Sequence, residues 1–135
     1  KQYLKYRTYH GCPMPVSTQQ ASIAAWSDEE HVKHNRQLYR DKFTAFIDIL
    51  QDVCEISRPP ASFYVWLKTP GSDTEFARGL YAEQNVTVLP GSYLSRDSGG
   101  INPGANHVRI ALVASIEECI EAANRIKTFL SENTA

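Results

Sequence analysis

The pattern of hydrophobic and polar positions predicts five helices and a few short strands. Between residues 28 and 53, apolar residues recur at spacings of three and four, which indicates one long helix with a single apolar stripe. A similar stripe follows Ser115 near the end of the chain. Residues 1–7 already have the pattern of a helix interior, so an opening helix is predicted there.

Four further helix starts are marked by capping boxes, in which a serine is followed three residues later by Glu or Gln. These boxes begin at Ser17, Ser27, Ser72 and Ser115. We therefore expect four helices after the opening one, and the box at Ser27 leads into the long helix.

Segments rich in aromatic and β-branched residues predict strands at 62–68 (SFYVWLK), 86–89 (VTVL) and 107–113 (HVRIALV), with a possible edge strand at 54–56. A long loop rich in glycine and serine fills residues 91–106, and such loops are usually functional or mobile. The order of elements predicts an α+β fold, a small, largely antiparallel sheet covered on one face by two helices. Residues 1–26 do not fit inside that unit.

Composition excludes several classes of partner. The formal net charge is -1 and no block of basic residues occurs, so a nucleic-acid partner is not expected. No apolar run approaches the roughly 20 residues that cross a bilayer. The three cysteines and four histidines do not cluster at ligand spacing, so no metal site is predicted. An odd, unpaired set of cysteines is typical of a reducing compartment and favours a cytoplasmic location.

Arg109 is the residue whose position carries most information. It falls in the middle of the predicted strand at 107–113, with Ala111 and Val113 as neighbours on the same face. A guanidinium stays charged and its planar fork matches a carboxylate, so Arg109 is a candidate carboxylate-binding residue. An ion pair with a surface acidic residue is the commoner arrangement for a strand arginine and remains open at this point.

Two other places offer weaker candidates. Ser92 and Tyr93 follow the turn-forming Pro90-Gly91 pair and could line a pocket, although a plain turn accounts for them equally well. Tyr9 and His10 stand beside a Gly-Cys-Pro loop, where packing is the simpler account. No nucleophile elbow, phosphate-binding loop or dinucleotide fingerprint occurs. The residues alone therefore indicate an α+β domain with a possible carboxylate-binding arginine, either an enzyme part, a non-catalytic small-molecule-binding module or a dimerisation piece.

Several of these motifs together resemble a known family. Residues 88–93 (VLPGSY), the glycine-rich loop and residues 108–114 (VRIALVA) resemble the end of the class I/II, fold-type I pyridoxal-phosphate aminotransferases. Residues 9–15 (YHGCPMP) look most like the N-succinyldiaminopimelate aminotransferases of lysine biosynthesis. The resemblance covers essentially the whole chain.

The resemblance implies roles for individual residues. In this family a strand arginine followed by small apolar residues binds the α-carboxylate of the amino acid or keto acid, and Arg109 matches it, with Ser92 and Tyr93 as neighbouring substrate-binding candidates. The segment around Tyr9 and His10 matches one that approaches the cofactor pocket of the partner subunit in a homodimer. Glutamate and 2-oxoglutarate are the implied substrates, and pyridoxal 5'-phosphate is the implied cofactor.

The chain departs from the family in one respect. The family binds its cofactor through a lysine in a Ser/Thr-x-Ser/Thr-Lys context, and none of the six lysines has that setting. We therefore expect a fragment without a catalytic residue of its own, inactive alone. It would comprise the end of a missing large domain at 1–26, a long interdomain helix at 27–53 and the small C-terminal domain at 54–135.

Overall fold

The computed structural model describes residues 1–11 and 13–133, so the part of the residue 9–15 motif that rests on Cys12 lies outside the described residues. The chain divides into two compact units, Lys1–Asn35 and Arg36–Ala135. Each unit is described by itself.

The first unit consists of helices. Helix α1 spans Gln2–Thr8 and helix α2 spans Val16–Ser27. Neither helix contains a buried residue, and the side chain of Trp26 is 86% exposed.

Helix α3 spans Glu30–Leu50, and its 21 residues give a length of about 32 Å. The long helix predicted at 28–53 is thus confirmed, with ends two and three residues shorter. Its C-terminal half buries Phe43, Phe46 and Leu50, which belong to the apolar stripe that the spacing predicted.

The second unit contains a three-stranded antiparallel sheet in the order β1–β3–β2. The strands are β1 (Tyr64–Lys68), β2 (Leu89–Pro90) and β3 (His107–Ala111). The strand predicted at 86–89 was misplaced, because only its last residue pairs with β3, together with the following proline. The possible edge strand at 54–56 is wrong as well, since those residues lie outside every strand.

Helices α4 (Asp73–Gln84) and α5 (Ile116–Glu132) complete the second unit. One face of the sheet, formed by Val65, Leu67, Val108 and Ile110, shares a continuous apolar core with the helices. That core includes Phe46 of α3, so three helices rather than the predicted two contribute to it. The α+β class, with a small antiparallel sheet covered by helices on one face, is confirmed.

Two of the four predicted capping boxes mark true helix starts. Ser72 caps α4 by accepting a hydrogen bond from the amide of Glu75, and Ser115 forms a complete box with Glu118 at the start of α5. The other two predictions are wrong. Ser17 lies inside α2, which begins at Val16. Ser27 ends the same helix, and the carboxylate of Asp28 instead accepts from the amide of Glu30 at 3.1 Å.

Candidate functional site: an unpaired arginine on the open sheet face

Arg109 lies in the central strand of the sheet, on the face opposite the core. Its strand neighbours Val108 and Ile110 are buried against the helices, so the period of two sends the side chain of Arg109 to the other face. In the register of the sheet, Arg109 stands between Trp66 of β1 and Leu89 of β2. Ala111 shares its face, as the sequence predicted.

Arg109 is half-buried, and its guanidinium rests on an aromatic ring. Its Cζ atom lies 5.4 Å from the centre of the Tyr64 ring, within the range of a cation–π contact. The ring of Phe63 meets Tyr64 edge-on, with ring centres 5.4 Å apart. Because Tyr64 pairs with Ala111, the side chain of Arg109 leans toward the Ala111 end of β3.

No carboxylate neutralises this guanidinium within the described parts of the chain, residues 1–11 and 13–133. The ion pairs found there join other residues: Asp28 with His31, Glu30 with Lys33, Glu55 with Lys68 and Glu121 with Arg125. The surface ion pair that the sequence left open as an account of Arg109 is therefore absent from this region. An arginine held on an aromatic ring without an acidic partner has its hydrogen-bonding fork available for an anion.

Ser92 and Tyr93 lie in a single 3₁₀ turn, Gly91–Tyr93, directly after β2. Tyr93 is 73% exposed, and the amide of Ser92 donates to the Oδ2 atom of Asp73 at 2.8 Å. The turn adjoins the His107 end of β3, because β2 runs antiparallel to it. The structure thus places this turn and the guanidinium of Arg109 toward opposite ends of the same strand.

Gly91 is required at the start of this turn. A Cβ atom there would collide with the carbonyl oxygens of Gly104 and His107 and with the ring of Trp66. The close approach at Gly91 is therefore made by the chain's own backbone and by the Trp66 ring.

The loop at 91–106 is held together by hydrogen bonds between its own residues. The hydroxyl of Ser95 lies within hydrogen-bonding distance of two acceptors, the carbonyl of Gly91 at 3.0 Å and Oδ1 of Asn102, and its one proton serves one of them at a time. The amide of Gly104 donates to both side chains, at 3.1 Å and 3.0 Å. These bonds draw the two ends of the loop together beside β3.

Asp73, in the first turn of α4, is a residue that the sequence analysis missed. Its side chain is 5% exposed. Burial raises the pKa of its carboxyl, but hydrogen bonds from Ser92 and from the main-chain amides of Asp73 and Asn106 outweigh that effect and leave the pKa below the usual 3.8. The one available signal was an acidic residue directly after a helix cap, which is ordinarily explained by the helix dipole.

Tyr9 and His10 belong to the first unit. The His10 ring stacks on that of Tyr6 at 4.3 Å between centres, and Tyr9 is 81% exposed. Their predicted role near a partner's cofactor pocket stays a prediction.

Three lysines contact acceptor groups of this chain. Lys33 and Lys68 form the ion pairs named above, and the ammonium group of Lys42 donates to the carbonyl of Leu112 at 3.3 Å. Burial raises the pKa of the Cys54 thiol to about 11, so that thiol stays protonated at neutral pH. Among residues 1–11 and 13–133, no cluster of three potential metal ligands occurs, and none of the helices is long and apolar enough to cross a membrane.

Within residues 1–11 and 13–133, the fold and the site define an α+β domain whose open sheet face offers an arginine without an acidic partner. Residues 2–126 match the model of the family Aminotransferase class I and II, and the chain belongs to that family.

Individual relatives agree with this membership. A solved aminotransferase from Neisseria meningitidis Z2491 is 51% identical with a TM-score of 0.89, over 96% of this chain and 33% of that one. A probable N-succinyldiaminopimelate aminotransferase from Thermus thermophilus is 33% identical with a TM-score of 0.64, over 78% of this chain and 27% of that one. The LL-diaminopimelate aminotransferase of Maridesulfovibrio salexigens is 33% identical over 82% of this chain. The chain spans only 28% of that relative's length.

Proposed function

We propose that this chain is the C-terminal part of a pyridoxal-phosphate-dependent aminotransferase and that Arg109 binds the α-carboxylate of its substrates. The observation that carries the proposal is the half-buried Arg109, whose guanidinium lies over Tyr64 without an acidic partner in the described chain. Membership of the aminotransferase family supports it.

The geometry suits this role for a physical reason. Two parallel N–H groups of a guanidinium bind both oxygens of a carboxylate and thereby fix its orientation. The Tyr64 ring restricts the side chain of Arg109 before a ligand arrives, so less conformational entropy is lost on binding. A substrate fixed at its carboxylate presents its α-carbon in one direction, which is the contribution that positioning makes to catalysis.

The cofactor would be held by residues outside this chain. Pyridoxal phosphate, when bound, supplies the electron sink that lets an amino group pass between amino acid and keto acid. None of the six lysines stands in the family's Ser/Thr-x-Ser/Thr-Lys context, which supports the proposal that the cofactor-binding lysine lies elsewhere in the intact protein. The fragment by itself would then be inactive.

For the substrates, we propose glutamate and 2-oxoglutarate as one pair and an N-succinyldiaminopimelate-type compound as the other. The likeness to a probable N-succinyldiaminopimelate aminotransferase and to LL-diaminopimelate aminotransferases supports a diaminopimelate-related substrate. We further propose a cytoplasmic homodimer of the intact enzyme, with residues 1–26 as the end of the large domain, 27–53 as the connecting helix and 54–135 as the small domain. Tyr9 and His10 would approach the cofactor pocket of the partner subunit.

The test is a kinetic comparison in the full-length enzyme. Arg109→Lys keeps the charge but loses the bidentate fork. The KM values for glutamate and for 2-oxoglutarate should both rise about tenfold, because one charge-assisted hydrogen bond to the carboxylate is lost. Arg96→Lys is the matched control, because Arg96 is exposed in the loop at 91–106. Its KM values should stay at those of the unchanged enzyme. If Arg109→Lys also left both KM values unchanged, Arg109 would not bind the carboxylate.

A further inference from the structure

Asp73 is a buried carboxylate to which the proposed chemistry assigns no part. Within residues 1–11 and 13–133 it is the one charged residue in the buried interior, and no Lys, Arg or His lies within ion-pair distance of it. A buried charge is costly unless hydrogen bonds or a counter-charge stabilise it. Here the stabilising groups are the main-chain amide of Ser92 and the N-terminal end of α4.

The hydrogen bonds of Asp73 join segments that are far apart in sequence. Its Oδ2 atom accepts from the amide of Ser92, 19 residues further along the chain. Ser92 lies at the start of the loop at 91–106. The carboxylate therefore connects the start of α4 to the turn that opens the loop before β3.

This connection matters to Arg109 because the strand beside it is very short. Strand β2 has two residues, and Leu89 and Pro90 pair with Arg109 and Val108. Pro90 has no N–H group to donate to the sheet, so few ladder hydrogen bonds can fix β2. The first anchor after β2 is the bond from Ser92 to Asp73.

We propose that Asp73 is a positioning residue for substrate binding: its carboxylate holds the turn Gly91–Tyr93, and with it β2, against the strand that carries Arg109. The inference rests on the proposed role of Arg109. Loss of the carboxylate frees the amide of Ser92, loosens the loop at 91–106 and lets the edge of the sheet beside Arg109 shift.

The first measurement is tryptic cleavage of the full-length enzyme, followed bond by bond with mass spectrometry. Arg96 lies exposed in the middle of the loop, so cleavage after it reports opening of the loop. In Asp73→Ala this cleavage should be about tenfold faster, since one charge-assisted hydrogen bond is lost. Cleavage after Arg40, inside α3, reports unfolding of the domain and should change much less. Glu75→Gln, an exposed acidic residue in the same helical turn, is the matched control and should change neither rate.

The second measurement is the division of the kinetic effect between KM and kcat. Asp73→Ala should raise KM for glutamate and 2-oxoglutarate about tenfold, with a smaller change in kcat and unchanged cofactor content. Asp73→Asn should fall between wild type and Asp73→Ala, because its amide oxygen still accepts from Ser92. A merely structural role would lower the active fraction, and so kcat, at constant KM.

Two results would overturn the inference: equal acceleration of cleavage after Arg40 and Arg96, or an Asp73→Ala enzyme with unchanged KM. A failure of the proposed function gives a different pair of results. If Arg109 does not bind the carboxylate, Arg109→Lys leaves KM unchanged, while cleavage after Arg96 is still faster in Asp73→Ala.

Discussion

The two compact units differ in how they use their apolar residues. Every buried hydrophobic residue of the described chain lies in the unit at 36–135, whereas α1 and α2 of the unit at 1–35 bury none. The apolar residues of α5 form one stripe, while those of α2 are spread around the helix. Within the described chain, the apolar residues of α5 thus share one face that other elements cover, and those of α2 do not.

The largest expected effect comes from matched leucine truncations in the two units of the 135-residue chain. Leu80 in α4 has no exposed surface, while Leu4 in α1 is 71% exposed. Leu80→Ala should lower the free energy of unfolding by about 3 kcal/mol, through lost burial and the cavity left behind. Leu4→Ala should change it by less than about 0.5 kcal/mol. Urea unfolding of the two variants measures the difference, and equal losses would contradict the comparison.

Helix caps give a second, smaller contrast. Ser115→Ala removes a side-chain cap at the start of α5 and should cost about 1 kcal/mol of stability. Ser17→Ala, at a site where the sequence predicted the same motif, should cost almost nothing because Ser17 lies inside α2. Thermal unfolding of both variants would measure the difference in stability loss between the two sites. A loss at Ser17 as large as that at Ser115 would mean that α2 begins at Ser17 after all.

The contrast between the two cap sites shows what local sequence can predict. At Ser115 both halves of the capping box lie within four residues, and no other part of the chain competes for them. At Ser27 the same pattern fails because α2 continues through that serine, and Asp28 takes over as the hydrogen-bond acceptor for α3. A motif thus predicts a helix start only where the preceding helix has already ended.

Features that depend on distant residues were predicted less well. The strand predicted at 107–113 was found from its own residues, although it ends at Ala111, and so was the face that Arg109 shares with Ala111. The position of β2 depends on its pairing with Arg109 and Val108, about 20 residues away, and a window of sequence does not contain that information. The bond between Asp73 and Ser92 was missed for the same reason.

The smallest expected effect concerns pH and compares one acidic residue from each unit. The pKa of Asp73 lies below its usual 3.8 in the folded chain, so the folded state stays ionised where the unfolded chain has begun to bind a proton. The resulting stability is present above about pH 4 and is lost as the pH falls through the folded pKa.

Urea unfolding between pH 7 and pH 3 would measure this linkage. The loss of stability on acidification should be shallower in Asp73→Asn than in the unchanged chain. Asp28 also has a lowered pKa, from the side chain of His31 and the amide of Glu30, but it is exposed. Asp28→Asn should therefore change the loss of stability on acidification less than Asp73→Asn does. The reverse order would contradict the view that Asp73 contributes more to this loss than Asp28.

The most direct test of the central claim is a crystal structure of the full-length enzyme with bound 2-oxoglutarate. We expect both oxygens of the α-carboxylate to lie about 2.8 Å from the guanidinium nitrogens of Arg109, as in bidentate arginine–carboxylate pairs. A bound 2-oxoglutarate with its α-carboxylate on other residues, while the guanidinium of Arg109 still rests on Tyr64 without a ligand, would contradict the account.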